Sequence, residues 1–233
     1  LTPLFMKKCI NHYYLYESFQ NSSAIKTVTQ FKPSIAKAIY NFFGAKNVLD
    51  FCSGWGDRLV GFLASDAQSY VGIDPNTKLH KPYQDIVDFY APHKKTTFFS
   101  LPAEEVAYDD LTYDFVFTSP PYFDLEHYTQ EDTQSILKHP TLDRWKNDFL
   151  FHSLKKVYEG LDEGGRIAIN ISDFNSKSGS ICTDMIDFMR SIGATYEGTI
   201  GYLINPAQAV KKFVDDDLAE PIFIWSKGGA PEP

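Results

Sequence analysis

The sequence is poor in cysteine, has no long apolar run and carries no excess of positive charge. Its three cysteines, Cys9, Cys52 and Cys182, lie too far apart for a zinc-binding pair, and their odd number does not suggest a disulfide framework. No apolar stretch approaches the roughly 20 residues that a membrane-spanning helix needs, and no signal peptide is visible. We therefore expect a protein of a reducing, cytoplasmic compartment, with no metal site and no membrane contact.

The charge balance bears on possible partners. A formal net charge of -8 argues against a protein that coats nucleic acid through bulk electrostatics. Basic residues do gather locally, near 7–8, 93–95 and 138–156, where they form either solvated faces or phosphate contacts. Aromatic residues are abundant at 15%. We expect most of them to pack in the core and some to offer a stacking surface for a flat substrate.

Apolar runs alternate with amphipathic ones from about residue 32 onward, which indicates an α/β fold. The pattern predicts a mostly parallel sheet of seven strands with helices on both faces. The last two strands leave little room for a helix between them and are expected to form an antiparallel hairpin. Residues 31–233 are expected to form one domain after an N-terminal extension over 1–30. The predicted strands are 47–51, 69–73, 96–99, 113–118, 166–171, 199–203 and 221–225, and the predicted helices are 33–43, 59–63, 78–90, 142–160 and 181–191.

The first predicted strand runs into an acid and then into a turn with two glycines separated by one residue. The segment reads Asp50-Phe51-Cys52-Ser53-Gly54-Trp55-Gly56 and leads into a predicted helix. Glycine lets a backbone turn sharply and approach a ligand closely. Alone, this turn is a weak signal, because ordinary strand-to-helix turns also carry glycines.

The second predicted strand ends in a carboxylate. Asp74 follows the apolar run that ends at Ile73 and lies 18 residues after Gly56. An acid at this position can accept hydrogen bonds from both ribose hydroxyls of an adenosine. An exposed capping Asp is the alternative, but after this glycine turn ribose binding is the better interpretation.

Together these two segments resemble the first motifs of the class I S-adenosylmethionine-dependent methyltransferases, which have a Rossmann-like fold. The resemblance covers roughly residues 31 to 227 and implies S-adenosylmethionine as the cofactor. It places the methionine end of the cofactor near Lys32, for which a solvated surface lysine is the alternative. Pro102 stands where the family often has an acid that binds the adenine amino group, so Glu104 or a backbone group would substitute for that acid. The cofactor-binding residues that the resemblance implies are Lys32, Asp50, Cys52, Ser53, Gly54, Gly56, Asp74, Pro75, Glu104 and Ser119.

The most specific segment of the chain is Ser119-Pro120-Pro121-Tyr122, directly after the fourth predicted strand. Two consecutive prolines hold an extended backbone whose carbonyls stay out of a helix. In a doubly wound sheet this position lies beside the cofactor turn. The Ser119 hydroxyl and the Pro120 carbonyl can then accept the two hydrogens of a planar amino group, while Tyr122 and Phe123 flank the ring that carries it.

This segment resembles the [D/N/S]-P-P-[Y/F/W] motif of DNA amino methyltransferases that act on adenine N6 or cytosine N4. Serine in the first position looks more like the cytosine branch, and the longer string through Glu126 looks like phage or viral DNA methylases. The resemblance implies the catalytic residues Ser119, Pro120, Pro121 and Tyr122. Cytosine-C5 methylation is not expected, because it needs a cysteine nucleophile, typically in a Pro-Cys dipeptide that this chain lacks.

The predicted partner is nucleic acid, DNA rather than RNA, and the predicted substrate-binding residues are Tyr122, Phe123, Asn170 and Ser172. No segment is large enough for a separate target-recognition domain. Residues 123–147, the N-terminal thirty residues, a partner chain or an oligomer would therefore supply selectivity. Two alternatives stay open. One is a methyltransferase for another planar nitrogen, such as an RNA guanine amino group or a protein glutamine amide; the other is a catalytically silent scaffold of the same fold.

Overall fold

The structure is a computed structural model that describes residues 31–123, 128–173, 180–203 and 219–228. The described residues from Lys32 onward belong to one structural unit. The predicted N-terminal extension over 1–30 lies outside the described residues. Within the part of the chain that is described, no helix is long and apolar enough to cross a membrane.

One sheet organises the fold. Its strands are β1 (Asn47–Asp50), β2 (Ser69–Ile73), β3 (Lys95–Phe99), β4 (Phe115–Thr118), β5 (Arg166–Asn170), β6 (Thr195–Leu203) and β7 (Ala219–Ser226). Their order across the sheet is β3-β2-β1-β4-β5-β7-β6. Strands β1 to β5 are parallel to their neighbours, whereas β7 runs antiparallel to both β5 and β6. The predicted seven-stranded, mostly parallel sheet with a C-terminal antiparallel hairpin is confirmed.

Six helices connect or flank the described strands. Five of them are α1 (Pro33–Phe42), α2 (Asp57–Leu63), α3 (His80–Tyr90), α4 (Ser135–Lys138) and α6 (Ile181–Ser191). Helix α5 is composite: it begins as one α-helical turn (Leu142–Arg144), continues as a π-helix (Trp145–Phe151) and ends as an α-helix (His152–Gly160). Short 3-10 turns lie at Thr77–Leu79 and Ala103–Glu105.

Helices cover both faces of the sheet. On one face, Tyr40 of α1 meets Phe115 and Phe117 of β4 edge to face, with ring centroids 6.1 and 5.9 Å apart. Val116, between these two residues, belongs to a second cluster with Leu154 and other residues of α5 and α6. Successive side chains of a strand point to opposite faces, so β4 is buried on both sides and reads as a continuous apolar run.

Among the predicted elements whose bounds differ from the structure are two strands. The strand predicted over 199–203 begins at Thr195, and a β-bulge between Tyr196 and Gly198 interrupts its alternation. The strand predicted over 113–118 begins at Phe115. Tyr113 instead donates its hydroxyl hydrogen to the carbonyl of Val157 in α5, at 2.9 Å. Local periodicity in the sequence marks neither of these two starting residues.

Candidate active site

The carboxyl ends of β1, β2, β4 and β5 lie along one edge of the sheet, because these strands are parallel neighbours. In open α/β sheets, ligands bind outside this edge where the strand order reverses, which here is between β1 and β4. The segments predicted to bind cofactor and substrate follow β1, β2 and β4, and they therefore meet at this edge.

The loop after β1 is tied to both β1 and β2. The backbone N–H of Ser53 donates to the carbonyl of Ile73 at 2.9 Å, and its hydroxyl donates to the carbonyl of Asp50 at 3.0 Å. Gly54 has φ +55° and Gly56 has φ +91°, conformations that favour glycine. These hydrogen bonds and glycine conformations give the loop, here called the glycine loop (residues 51–56), a fixed shape.

Asp74 lies at the end of β2 and faces the glycine loop. Its Oδ2 accepts the N–H of Gly54 at 2.9 Å, and its Oδ1 accepts the N–H of Asn76 at 2.9 Å. A carboxylate oxygen can accept two hydrogen bonds, so within the described residues each oxygen keeps one acceptor position. Burial raises the pKa of Asp74 to about 6, against the opposing effect of the two N–H donors. Further donors from a ligand would therefore stabilise the anion.

Helix α3 holds the glycine loop from outside. The Tyr83 hydroxyl donates to the carbonyl of Gly54, and its ring is buried against Phe98. His80 Nε2 lies 3.0 Å from the carbonyl oxygen of Asp74. Gly54 is thus held through both its N–H and its carbonyl. Sequence reasoning missed Tyr83 and His80, because their helical spacing indicates only a core-facing stripe.

Asp50 is a buried structural centre, and the direct cofactor contact predicted for it does not fit this geometry. Its carboxylate is fully buried and accepts hydrogen bonds from Arg58 Nε, the Tyr70 hydroxyl and the Thr118 hydroxyl, each at 2.8 Å. The N–H of Cys52 and Arg58 Nη2 add two longer contacts at 3.3 Å. Protein donors engage both carboxylate oxygens, so Asp50 acts on the site through the glycine loop.

Thr118 connects the glycine loop to the segment after β4. Its hydroxyl donates to Asp50 at 2.8 Å and accepts the N–H of Cys52 at 3.0 Å. The guanidinium of Arg58 also donates to the carbonyl of Cys52. Ser119, the next residue, therefore starts from a strand end whose position relative to the glycine loop is fixed.

Ser119 and its three successors follow β4 without regular secondary structure. Pro120 is buried, and Ser119, Pro121 and Tyr122 are half-buried. Within the described residues, neither the Ser119 hydroxyl nor the Pro120 carbonyl has a hydrogen-bond partner. The described residues thus leave the predicted pair of acceptors unengaged.

A tight turn fixes the backbone around Tyr122. The N–H of Phe123 donates to the carbonyl of Pro121 at 3.0 Å and closes a three-residue turn. Phe123 has φ +39°, which is uncommon outside glycine and is often found at functional sites. Its ring centroid lies 6.1 Å from that of buried Trp145, at the start of the π-helix. Phe123 therefore anchors the turn on the core, and its substrate contact stays a prediction.

Glu104 lies in the 3-10 turn after β3, and its carboxylate is largely enclosed. Oε1 accepts a hydrogen bond from Lys138 Nζ at 2.7 Å and lies 3.1 Å from His139 Nε2. Oε2 is buried and has no hydrogen-bond partner in the described ranges. Burial raises the pKa of the Cys52 thiol, and the carboxylates of Asp74, Asp50 and Glu104 raise it further. Glu104 and Asp74 thus both add negative charge to the surroundings of Cys52 in the glycine loop.

No protein-family model and no curated protein matches this sequence. Solved structures are similar in fold. An S-adenosylmethionine-dependent O-methyltransferase from Thermotoga maritima has a TM-score of 0.55 and 12% identity over 90% of this chain and 71% of that one. An rRNA methylase from Streptococcus thermophilus has a TM-score of 0.53 and 11% identity over 87% of this chain and 100% of that one. The chain has the methyltransferase fold.

The SpnF cyclase is also similar, with a TM-score of 0.53 and 11% identity over 82% of this chain and 81% of that one. Identities this low show the fold alone. Because a cyclase shares the methyltransferase fold, the reaction has to be argued from the site.

The hairpin of β6 and β7 brings two polar residues to the edge of the sheet that the carboxyl ends of the parallel strands form, here called the ligand edge. Tyr202 and Glu220 face each other in register, and the Tyr202 hydroxyl donates to Glu220 Oε2 at 2.6 Å. Both are half-buried. Sequence reasoning missed this pair, because the two residues are distant in the chain and only strand pairing brings them together.

The substrate contact predicted for Asn170 does not fit its surroundings. Asn170 is only 2% exposed. Its Nδ2 donates to the carbonyl of Pro221 at 3.0 Å, and its Oδ1 lies 3.4 Å from the Tyr202 hydroxyl. The amide therefore holds the hairpin in place. Ser172 is half-buried just beyond β5, and its substrate contact stays a prediction.

Two further residues with predicted cofactor contacts flank this edge. Lys32 precedes α1, where its carbonyl accepts the N–H of Ile35 at 2.9 Å, and Pro75 directly follows Asp74. Their cofactor contacts stay predictions.

Beyond residues 124–127, Glu131 accepts hydrogen bonds from the hydroxyl and the N–H of Thr77, at 2.8 and 3.2 Å. The chain that follows Tyr122 therefore returns to the β2 side of the edge.

The basic cluster over 138–156 is largely paired with acids. The nitrogen–oxygen distances are 2.7 Å for Lys138–Glu104, 3.2 Å for Arg144–Asp148 and 2.8 Å for Lys146–Asp184. Pairing of this kind leaves these side chains little unbalanced positive charge for phosphate groups.

Proposed function

We propose that the chain is an S-adenosylmethionine-dependent methyltransferase that acts on an exocyclic amino nitrogen of a nucleic-acid base, adenine N6 or cytosine N4, in DNA rather than RNA. The observation that carries this proposal is the pair of acceptors that the described part of the chain leaves unengaged, the Ser119 hydroxyl and the Pro120 carbonyl. They follow a strand end that Thr118 ties to the glycine loop. This arrangement supports an amino group held beside the proposed cofactor site.

The described residues fit S-adenosylmethionine. Each carboxylate oxygen of Asp74 keeps an acceptor position at the end of β2, which suits the two ribose hydroxyls. Glu104 Oε2 is a buried acceptor without a partner in the described ranges, which suits the adenine amino group. When bound, this cofactor supplies an electrophilic methyl group.

The residues after β4 would activate the amino nitrogen by orienting it. An exocyclic amino group is a poor nucleophile, because its lone pair is delocalised into the ring. Acceptors that hold its two hydrogens favour a more tetrahedral nitrogen whose lone pair points at the methyl group. Ser119 and Pro120 supply those acceptors in this proposal, and Tyr122 stacks on the ring. The rate would come from orientation and polar preorganisation, without a covalent intermediate on the protein.

The paired basic cluster suggests how nucleic acid would be held. With Lys138, Arg144 and Lys146 next to carboxylates, we expect few phosphate contacts from this region and therefore a shallow dependence of affinity on salt. Stacking on an extruded base would carry more of the binding free energy. A partner chain or a second copy would add sequence selectivity.

The experiment that tests this proposal uses a radiolabelled methyl donor and separate pools of single-stranded DNA, duplex DNA, RNA and protein. Nucleoside analysis is expected to find label in N6-methyladenine or N4-methylcytosine from DNA. Label confined to RNA guanine or to protein glutamine would replace the proposed target with another planar nitrogen. Intact cofactor binding without any transfer would identify a silent scaffold. Ser119→Ala is expected to transfer less label than the wild type.

A further inference from the structure

Strand β7 enters the sheet at the carboxyl end of β5. Asn170, the last residue of β5, pairs with Ile222 of the antiparallel β7. Glu220 therefore lies two residues beyond this pair, about 7 Å past the end of β5 at the usual rise of a strand. Tyr202 lies opposite Glu220 on β6. Both residues consequently stand at the ligand edge, where β5 separates β7 from β4, the strand that leads into Ser119.

Hydrogen bonds fix this pair. The Tyr202 hydroxyl donates to Glu220 Oε2 at 2.6 Å, a length typical of a charge-assisted bond. The amide of Asn170 holds the same end of the hairpin through the carbonyl of Pro221, at 3.0 Å. The other carboxylate oxygen, Glu220 Oε1, has no hydrogen-bond partner among the residues that the structure describes. One acceptor of a positioned carboxylate is thus available at the ligand edge.

Tyr122 links the pair to the proposed active site. Burial raises the pKa of Tyr202, its hydrogen bond to Glu220 and the charge of Glu220 raise it further, and Tyr122 also contributes. The two phenol groups therefore lie within electrostatic reach of each other. Tyr122, whose ring is proposed to stack on the substrate base, thus interacts electrostatically with Tyr202.

Methylation of an amino nitrogen leaves a surplus proton. The nitrogen lone pair forms the new bond to the methyl carbon as the carbon–sulfur bond breaks and its electron pair passes to sulfur. The nitrogen is then cationic until one proton leaves it. A serine hydroxyl or a proline carbonyl can accept a hydrogen bond from that nitrogen, but neither takes up a proton near neutral pH.

We propose that, once the methyl group is transferred, Glu220 Oε1 takes over one of the two hydrogens from the Ser119 hydroxyl and accepts it as the surplus proton, with Tyr202 positioning the carboxylate. The half-exposed carboxylate then releases the proton to solvent. This inference rests on the proposed function and adds to it a catalytic residue from the C-terminal hairpin. Glu220 supplies a carboxylate to a site in which Ser119, the first residue after β4, carries no charge.

The test compares Glu220→Gln, Glu220→Asp and Tyr202→Phe with a matched control, Glu197→Gln. Glu197 is a carboxylate of the same hairpin that pairs with Arg166 at 2.9 Å, away from the ligand edge. The measurements are kcat and KM with a single-stranded oligonucleotide, cofactor affinity by calorimetry, oligonucleotide affinity by fluorescence anisotropy, and the thermal unfolding midpoint.

Glu220→Gln is expected to lower kcat by roughly 100-fold, the lower range for loss of a general base, while KM and both affinities stay within about threefold. Glu220→Asp should recover part of the lost kcat, because it restores a carboxylate. Tyr202→Phe should lower kcat by about tenfold with KM unchanged, since it frees the carboxylate without removing it. Glu197→Gln should match the wild type.

Different failures have different meanings. Wild-type kcat in a folded Glu220→Gln variant would overturn this inference and leave the proposed function standing. The inference would also be overturned if Glu220→Gln and Glu220→Asp had the same lowered kcat, together with lower oligonucleotide affinity and a lower unfolding midpoint. That result would indicate a structural role for Glu220. A wild-type protein that transfers no methyl group to any base would overturn the proposed function and this inference with it.

Discussion

The N–H of Gly54 donates a hydrogen bond to Asp74 Oδ2 at 2.9 Å, which joins the glycine loop after β1 to the end of β2. Tyr83 holds the carbonyl of the same glycine from α3. A loop that is fixed from both sides before a ligand arrives loses less conformational entropy on binding. The glycine loop is therefore preorganised for a ligand.

Asp74→Ala should weaken S-adenosylmethionine binding by about 1.5–3 kcal/mol, the usual loss for hydrogen bonds to a charged acceptor. Isothermal calorimetry gives the affinity. Asp85→Ala removes an exposed carboxylate of α3 that pairs only with Lys81 on the surface, and it should leave the affinity unchanged. Equal affinities for Asp74→Ala and the wild type would remove Asp74 from the site.

The pKa of Asp74, raised by burial to about 6, makes cofactor binding pH-dependent. Donors from the cofactor would stabilise the anion and lower this pKa, so binding should release a proton near pH 6 and weaken as pH falls below it. The stability of the free protein changes with pH in the opposite direction. The folded-state pKa of Asp74 lies above the ordinary value of 3.8, so the contribution of Asp74 to folding stability is present below pH 3.8 and is lost as pH rises through about 6. Calorimetry in two buffers of different ionisation enthalpy measures the released proton; a pH-independent affinity would contradict it.

Arg58→Met should destabilise the fold by about 3–5 kcal/mol, because it leaves the buried carboxylate of Asp50 without its cation. Urea unfolding measures the loss. The matched control is Arg144→Met, which breaks the exposed pair with Asp148; it should cost less than about 1 kcal/mol. If the two variants lost similar stability, the Asp50–Arg58 pair would not hold the glycine loop together.

Tyr122→Ala should cost about 1–3 kcal/mol of substrate interaction, whereas Tyr122→Phe should keep most of it, because stacking needs the ring and not the hydroxyl. Fluorescence anisotropy with a single-stranded oligonucleotide gives both affinities. An alanine variant that binds as tightly as the wild type would assign Tyr122 to packing, in line with its partial burial against the core.

Ser119→Ala should lower kcat while cofactor affinity stays the same, since the hydroxyl is proposed to act on the amino group during transfer. Steady-state kinetics and calorimetry together separate the two effects. Full methylation by both Ser119→Ala and Tyr122→Ala would reduce the Ser119–Tyr122 segment to a turn, and the target nitrogen would then be open again.

Local pattern predicted much of the fold. The structure has β2 at Ser69–Ile73 and α6 at Ile181–Ser191, the same ranges that apolar periodicity and turn residues predict. The insertion of β7 between β5 and β6 was beyond such reasoning, because periodicity defines a strand but not its neighbours. The π-helix over Trp145–Phe151 has no sequence signal that distinguishes it from an α-helix.

The site was predictable where its residues follow strands directly. Asp74 and Ser119 stand at strand ends, and topology alone brings strand ends to one edge. The role of Asp50 was not predictable, because its Arg58, Tyr70 and Thr118 contacts come from three different elements. The Tyr202–Glu220 pair was missed for the same reason, since it exists only through non-local pairing.

The position of β7 in the sheet has a consequence for how the protein is made. Of the described strands it is the last to be synthesised, yet it separates β5 from β6. Until residues 219–226 leave the ribosome, the edge of β5 that faces away from β4 lacks β7, its partner strand in the folded protein. Strand β6 pairs with β7 and can join the sheet only afterwards. Non-local pairing of this kind is slow and leaves an apolar edge exposed to other chains. A nascent chain that stops before β7 should therefore depend on chaperones. Chains truncated before Ala219 should be less soluble and more easily cleaved by proteases than the full chain.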